Sequence, residues 1–139
     1  IDFAHTSDAL LNVLTTLKQN KPEKLICVFG CGGDRDRGKR RQMGAVAASL
    51  ADQIILTNDN PRSESPQAIV DEILMGIPGD ALVEVELDRC KAINRALEML
   101  DDTGLVLIAG KGHENYQEIN HERIQFSDRE VVLGFIASN

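Results

Sequence analysis

The sequence predicts an α/β fold, a Rossmann-like three-layer domain with helices on both faces of a mostly parallel sheet and one antiparallel edge strand. Apolar segments of strand length alternate with amphipathic segments of helix length along the chain, which is the pattern of such folds. Three polar loops rich in glycine or proline each follow an apolar segment. The length of 139 residues suits one ordinary domain, so we predict a single domain over residues 1–139.

Turn and capping signals set the predicted boundaries of the elements. Ser7 is expected to be the N-cap of the first helix, and Ser65 the N-cap of a later helix with Pro66 at its first position. A capping box that begins at Ser127 opens the last helix. Residues 123–126 alternate weakly and are predicted to be the antiparallel edge strand. The other predicted strands are 24–29, 53–57, 81–86 and 105–109, and the other predicted helices are 41–50 and 88–100.

The charge balance is acidic overall and basic in one segment. Fifteen Lys and Arg residues against 22 Asp and Glu residues give a net charge of −7, which argues against a nucleic-acid partner. Five of the fifteen basic residues nevertheless fall within seven positions. Any anion site must therefore be local. These five residues are Arg35, Arg37, Lys39, Arg40 and Arg41.

The remaining composition excludes several other classes of protein. No apolar run approaches the roughly 20 residues of a membrane-spanning helix, so no membrane partner is expected. The three cysteines form no Cys-x-x-Cys pair, which argues against a disulfide framework or a zinc site and suits a reducing cytoplasm. Because the chain begins at Ile1 without an initiator methionine or a signal-like segment, we expect a fragment of a longer protein.

The loop after the first strand has the spacing of a P-loop but not its chemistry. Residues 33–39 fit the pattern G-x-x-x-x-G-K, yet Arg40 stands where a hydroxyl would bind magnesium, and Asp34 and Asp36 would crowd a phosphate cradle. The dinucleotide-binding pattern fails as well, since it requires glycine at Arg35. An alternative is a strand-to-helix turn that needs glycine and carries solvated charges.

The loop Asp59-Asn60-Pro61-Arg62 follows the second strand and is predicted to bind an amino acid. Pro61 fixes its own φ and keeps Asn60 out of the helical region, so the loop is stiff. Arg62 offers a planar fork that fits a carboxylate, and the amide of Asn60 has both a donor and an acceptor. The alternative is a loop with an Asx-turn and a solvated arginine.

The third polar loop, residues 110–114, follows the fourth strand. Its adjacent His113 and Glu114 are a poor metal pair, because neighbouring residues rarely converge on one ion and no third ligand is evident. One alternative for this loop is a glycine turn with exposed polar residues. Ligands of open α/β sheets bind at the carboxyl ends of the strands, so we expect all three polar loops to converge there.

Together these motifs resemble the Mur ligase family of peptidoglycan synthesis, over essentially all 139 residues. The resemblance rests on Gly30 to Arg40, on the Asp59 to Arg62 loop and on Gly110 to Glu114. The opening segment Asp2 to Asp8 is also similar to the family pattern Asp-Tyr-Ala-His-x-Pro-Asp, although Phe3 and Ser7 replace its Tyr and Pro. The arginine that ends the second loop is typical of members that add diaminopimelate, and it implies the C-terminal, amino-acid-binding domain of such a ligase.

The resemblance implies a role for each candidate residue. Arg62 would bind the distal carboxylate that meso-2,6-diaminopimelate has and lysine lacks, and Arg35 would bind another substrate carboxylate. The Gly110 backbone and the Glu114 carboxylate would bind the distal ammonium. The residues that the resemblance assigns to the amino acid are Arg35, Asp59, Asn60, Pro61, Arg62, Gly110 and Glu114, and those that it places near ATP are His5, Asp34 and Lys39.

For the parent enzyme the resemblance implies an ATP-dependent ligase that forms an amide bond through an acyl-phosphate on UDP-N-acetylmuramoyl-L-alanyl-D-glutamate. ATP and Mg²⁺ would be bound mainly by a central domain that precedes this chain, so the chain alone is expected to be inactive. Two alternatives stay open at this point. One is a free-standing amino-acid-binding module, and the other is a Mur-type ligase that adds lysine.

Overall fold

A four-stranded parallel sheet with strand order β3-β2-β1-β4 forms the centre of the computed structural model, which describes residues 1–139. A separate antiparallel pair, β5-β6, lies outside it. The α/β class predicted from the sequence is confirmed. None of the five helices is long and apolar enough to cross a membrane. The elements are α1 Ser7–Lys18, β1 Lys24–Phe29, α2 Gly38–Leu50, β2 Gln53–Leu56, α3 Pro66–Leu74, β3 Val83–Val85, α4 Arg89–Glu98, β4 Gly104–Ile108, β5 Tyr116–Ile119, β6 Glu122–Gln125 and α5 Asp128–Ser138.

The central strand β1 is buried on both faces, because successive side chains of a strand point to opposite sides. Leu25, Cys27 and Phe29 join the core beneath α1, α2 and α3. Ile26 and Val28 join the second core, beneath α4 and α5. The two cores make the three layers expected from the alternating strand and helix segments.

Capping residues account for most helix starts. Ser65 and Ser127 accept hydrogen bonds from Ala68 N and Glu130 N at 3.3 and 3.2 Å, as predicted for N-caps. The first helix differs by one residue, since Thr6 rather than Ser7 is its N-cap and accepts from Ala9 N at 3.1 Å. Helix α2 begins at Gly38, earlier than the predicted residue 41. Its first turn is charged, so apolar periodicity did not reveal it.

The boundaries of three strands in the main sheet differ from the predicted ones by one or two residues. The second strand ends at Leu56 rather than 57, and the third covers only Val83–Val85 of the predicted 81–86. The fourth begins one residue early, at Gly104. The predicted antiparallel strand exists as Glu122–Gln125, but it pairs with β5 in a hairpin instead of extending the main sheet. Strand β5 was not predicted, because Tyr116–Ile119 is short and polar.

A fully buried ion pair joins the starts of α4 and α5. Arg89 Nε and Nη2 each donate to the Asp128 carboxylate at 2.8 Å, and both side chains are 0% exposed. Arg89 also donates to two main-chain carbonyls, Asn58 O at 3.0 Å and Ala109 O at 3.2 Å. The guanidinium therefore fixes the chain just beyond the carboxyl ends of β2 and β4.

Arg40 is a second buried cation and ties α2 to its neighbours. Its guanidinium donates to the Glu64 carboxylate at 3.1 and 2.7 Å, to Glu72, and to Gly32 O at 3.0 Å. The Arg40 hydrogen bond, together with one from Asp34 N, lowers the pKa of Glu64 to about 2. This cluster holds the loop after β1 against the loop after β2.

We predict that Arg89→Met lowers the free energy of unfolding by about 3–5 kcal/mol, because the Asp128 carboxylate would stay buried without its cation. Urea denaturation at pH 7 measures this change. The control is Arg95→Met, whose pair with Glu84 leaves the side chains 49% and 37% exposed and is expected to contribute at most about 1 kcal/mol. Equal losses in the two variants would contradict the prediction.

The Arg40 cluster also predicts an acid dependence of stability. The folded-state pKa of Glu64 is about 2 and its ordinary value is 4.5, so its stabilising contribution is complete above pH 4.5 and is lost as the pH falls toward 2. Glu64→Gln should therefore flatten the decline of unfolding free energy between these pH values, as measured by urea denaturation at several pH values. The matched control is Glu122→Gln on the exposed face of the hairpin. An unchanged slope in Glu64→Gln would count against this account.

Candidate functional site

A polar cavity of about 430 Å³ opens at the carboxyl edge of the parallel sheet. The three polar loops predicted to converge do so here, together with the N-terminal segment. Phe3 is the single hydrophobic residue of the lining, so the cavity suits a small, charged ligand. The lining residues are Phe3, His5, Thr6, Gly32, Arg35, Asp36, Lys39, Asp59, Asn60, Arg62, Gly110 and Glu114.

Asn60 is nearly buried, with 4% of its surface exposed, and its side-chain oxygen is fully engaged. Oδ1 accepts from Lys111 Nζ at 2.9 Å and from Glu118 N at 3.0 Å. These two donors fix the orientation of the amide. The side-chain acceptor is therefore used inside the protein, and the Nδ2 donors are what Asn60 offers to a ligand in the cavity.

Lys111 is the buried cation of the site, and sequence reasoning assigned it no role. Its Nζ lies 2.9 Å from Asn60 Oδ1, 3.4 Å from Glu114 Oε1 and 3.8 Å from Asp59 Oδ1, and the side chain is 0% exposed. Burial lowers the pKa of Lys111, while the charges of Asp59 and Glu114 oppose that shift. The ammonium thus links the loop after β2 to the loop after β4.

The glycines beside Lys111 allow the backbone turn of this loop. Gly110 and Gly112 have φ values of +114° and +55°, which L side chains rarely adopt. A Cβ at Gly110 would also lie 2.5 Å from Asp59 Oδ2. A lysine between two glycines directly after a buried strand was the sequence signal for this residue.

Arg62 projects from a left-handed backbone position, φ +52°, and several contacts hold it there. Its Nε donates to Glu118 Oε2 at 2.8 Å, and its Nη1 donates to Gly33 O at 2.9 Å. The structure gives Nη2 no protein partner. The guanidinium therefore has one terminal nitrogen that no protein group occupies. The supporting residue Glu118 belongs to a strand that the sequence did not reveal.

His5, Arg35 and Lys39 line the same cavity. Lys39 Nζ donates to His5 O at 2.9 Å, which ties α2 to the N-terminal segment. His5 Nδ1 lies 2.9 Å from Phe3 O. Arg35 is exposed, and its Nη1 donates to Asp34 O at 2.9 Å. All three residues thus lie together at this cavity.

Two predicted site residues do not line this cavity. The carboxylate of Asp34 accepts from Ser63 Oγ at 2.6 Å and from Ser63 N at 3.2 Å, and these hydrogen bonds lower its pKa. Asp34 instead lines a smaller cavity of about 270 Å³ on the other side of Arg62. Pro61 is buried, and its carbonyl oxygen would lie 1.9 Å from a Cβ at Gly33. Its part in the site is to support the loop.

The loop after β1 lacks the features of a phosphate cradle. The Asp36 carboxylate accepts from Gly38 N at 2.9 Å and so occupies an amide that a P-loop would offer to phosphate. Arg40, at the position of the P-loop hydroxyl, forms ion pairs with Glu64 and Glu72. No group of three or more His, Cys, Asp or Glu residues could hold a metal ion.

Solved structures resemble this fold to different degrees. The structure of a UDP-N-acetylmuramoyl-L-alanyl-D-glutamate--2,6-diaminopimelate ligase superimposes with a TM-score of 0.93 at 47% identity, over 98% of this chain and 28% of that one. Escherichia coli FolC in complex with ADP gives a TM-score of 0.62 at 18% identity, over 99% of this chain and 28% of that one. The second likeness is one of fold alone.

Comparison with known sequences agrees with the resemblance deduced from the motifs. Ligases named UDP-N-acetylmuramoyl-L-alanyl-D-glutamate--2,6-diaminopimelate ligase from Synechococcus sp. (strain WH7803) and Coxiella burnetii are each 55% identical over 94% of this chain. The chain spans about a quarter of their length, 26% and 27%. A family model described as "Mur ligase, glutamate ligase domain" matches residues 1–112. Because this match covers most of the 139 residues, the chain belongs to the Mur ligase family.

Proposed function

We propose that this chain is the amino-acid-binding domain of a longer ATP-dependent ligase that adds meso-2,6-diaminopimelate to UDP-N-acetylmuramoyl-L-alanyl-D-glutamate. The observation that carries the proposal is the two-signed charge of the cavity. The names of the 55%-identical relatives support the same substrate. Residues 1–139 would form this domain, and the remaining parts of the enzyme would lie elsewhere in the longer polypeptide.

Part of the cavity lining is anionic. Two carboxylates, Asp59 and Glu114, face the single ammonium of Lys111, so with all three ionised the group carries one net negative charge. Because Lys111 is fully buried, that negative charge is presented by the two acids. Together with the carbonyl of Gly110, it forms a site for the distal ammonium of diaminopimelate.

The rest of the charged lining is net cationic. Apart from Asp59 and Glu114, it contains the three cations Arg35, Lys39 and Arg62 against one acid, Asp36. Arg62 Nη2 and the Asn60 amide donors are free to bind a carboxylate. Diaminopimelate carries both charges on its distal head, whereas lysine carries only the ammonium.

The contribution of this domain to the reaction is positioning. In the parent ligase the amine of the amino acid attacks an acyl-phosphate, and phosphate leaves as the amide forms. Holding the two reactants in the right geometry converts an encounter between molecules into a step within one complex, which lowers the barrier by up to about 7–11 kcal/mol. The cavity residues would hold the amino acid at its charged groups and leave the reacting amine free.

For ATP we propose His5 and Lys39 as the residues of this chain nearest the nucleotide. Both line the cavity beside the loop after β1. Asp34 is left out because its carboxylate accepts two hydrogen bonds from Ser63. We assign no magnesium ligand to this chain, because its acidic side chains form no suitable cluster.

The two rival functions make different demands on the same residues. In a ligase that adds lysine, Arg62 would have no distal carboxylate to bind and would keep an unpaired edge in a polar cavity. A free-standing amino-acid-binding module would need the same cavity without any neighbouring domain. The names and lengths of the 55%-identical relatives favour the ligase that adds diaminopimelate.

We predict that Arg62→Ala in the full-length ligase lowers kcat/KM for diaminopimelate by at least about 30-fold, because a carboxylate would lose its charged partner, at a cost of about 2 kcal/mol or more. Steady-state assays with diaminopimelate and lysine measure the selectivity, which should fall by a similar factor. Arg95→Ala, distant from the cavity, is the control. Preference for diaminopimelate retained by Arg62→Ala, or equal use of lysine by the unmodified enzyme, would refute the proposed substrate.

We also predict that the 139-residue chain by itself forms no amide product, since it has no phosphate cradle and supplies only the amino-acid site. The measurement is phosphate release with ATP, UDP-N-acetylmuramoyl-L-alanyl-D-glutamate and diaminopimelate, with the full-length enzyme as the positive control. Turnover by the isolated chain would show that a complete catalytic site lies within residues 1–139.

A further inference from the structure

The hairpin strand β5 runs alongside the loop Asp59 to Arg62 and contacts almost every residue of it. Gln117 Nε2 donates to Asp59 O at 2.9 Å, and Glu118 N donates to Asn60 Oδ1 at 3.0 Å. At Arg62 the contact becomes a short parallel bridge with Ile119. The hairpin is therefore the support on which this loop rests.

Arg62 is held by this support through both its backbone and its side chain. Arg62 N donates to Glu118 O at 2.9 Å, and Asn120 N donates to Arg62 O at 2.9 Å. These bonds stabilise a φ of +52°, which a residue with a side chain seldom adopts. The Glu118 carboxylate also accepts a hydrogen bond from Arg62 Nε at 2.8 Å. One residue of β5 thus fixes the Arg62 backbone and one edge of its guanidinium.

The loop after β1 constrains the other nitrogens of the Arg62 guanidinium. Gly33 O accepts from Nη1 at 2.9 Å, and Gly32 leaves room for the guanidinium, since a Cβ there would lie 2.9 Å from Nη1. With Nε and one N–H of Nη1 occupied, Nη2 is the nitrogen of Arg62 without a protein partner. An arginine without the Glu118 contact would sample other rotamers and would lose that orientation.

The charges around Glu118 alternate. Arg123 Nη2 lies 3.3 Å from Glu118 Oε1, and the Arg123 guanidinium stacks 4.2 Å from the centre of the Tyr116 ring. Burial opposes the ionisation of Glu118, but the hydrogen bonds and charges of Arg62 and Arg123 outweigh it and lower its pKa. The carboxylate is accordingly ionised at neutral pH and flanked by two cations.

We propose that Glu118 is a positioning residue that orients Arg62 and so sets the selectivity of the site for an amino acid with a distal carboxylate. This inference rests on the proposed function. Glu118 is expected to act only through Arg62, because no polar side chain of the hairpin lines the cavity. The hairpin would thus affect substrate choice indirectly.

The test uses the full-length ligase with Glu118→Ala, Glu118→Gln and the control Glu122→Ala, which removes an exposed acid from the same hairpin. KM for diaminopimelate should rise between about tenfold and a hundredfold in Glu118→Ala, since misplacement of a binding group by about 1 Å has effects of this size. KM for ATP should not change. Glu118→Gln keeps an acceptor for Arg62 Nε and should lie between Glu118→Ala and the unmodified enzyme.

A double variant separates positioning from general damage to the fold. In an Arg62→Ala background, Glu118→Ala should produce no further rise in KM for diaminopimelate, because the group that it orients is gone. An unchanged KM in Glu118→Ala, a parallel rise in KM for ATP, or full additivity with Arg62→Ala would overturn the inference. If the unmodified ligase does not use diaminopimelate, the proposed function and this inference fail together. If it does and only the Glu118 variants are unaltered, the inference alone fails.

Discussion

Arg89 donates to the main-chain carbonyls of Asn58 and Ala109, and these residues lead directly into two of the three loops that form the cavity. A carbonyl beyond the end of a strand has lost its partner in the sheet, and burial without another donor would be costly. The guanidinium satisfies both carbonyls, and Asp128 keeps the buried charge neutral. The ion pair therefore holds the first residues of both loops in place.

Two further buried cations extend the same principle. Arg40 holds the loop after β1 through Gly32 O, and Lys111 joins the loops after β2 and β4 through Asn60 and Glu114. Each cation has acidic partners, which offset the cost of burying its charge. The chain therefore buries positive charge in its interior although its net charge is −7. These side-chain contacts add to main-chain hydrogen bonds such as the one from Gly33 N to Asn60 O at 2.8 Å. Together they hold the three loops in place around the cavity.

Periodicity and capping predicted the layers, the first strand to the residue, and the convergence of the three polar loops, because those features follow from local pattern and from the topology of parallel sheets. The basic segment was harder to interpret. Of its five cations, Arg40 is buried in ion pairs, Arg37 pairs with Glu72, and only Arg35 and Lys39 reach the cavity. A sequence counts charges but does not reveal their partners, so the roles of Lys111 and Glu118, which depend on residues more than 50 positions away, could not be deduced.

Backbone strain is concentrated beside the cavity. Four of the five residues other than glycine with positive φ are Asp34, Arg62, Asn120 and His121, and they surround or contact the smaller cavity behind Arg62. Asn120 and His121 form the two-residue turn of the hairpin, where a type I′ turn requires positive φ at both positions. At Asp34 and Arg62 such a conformation costs on the order of 1–3 kcal/mol and persists only where the surroundings determine it fully. A more relaxed loop could place an arginine in the same region, but with its rotamers unfixed. The strained backbone at Arg62 is accompanied by a guanidinium that is held in one orientation. Donors that are already oriented lose less entropy when an anion binds.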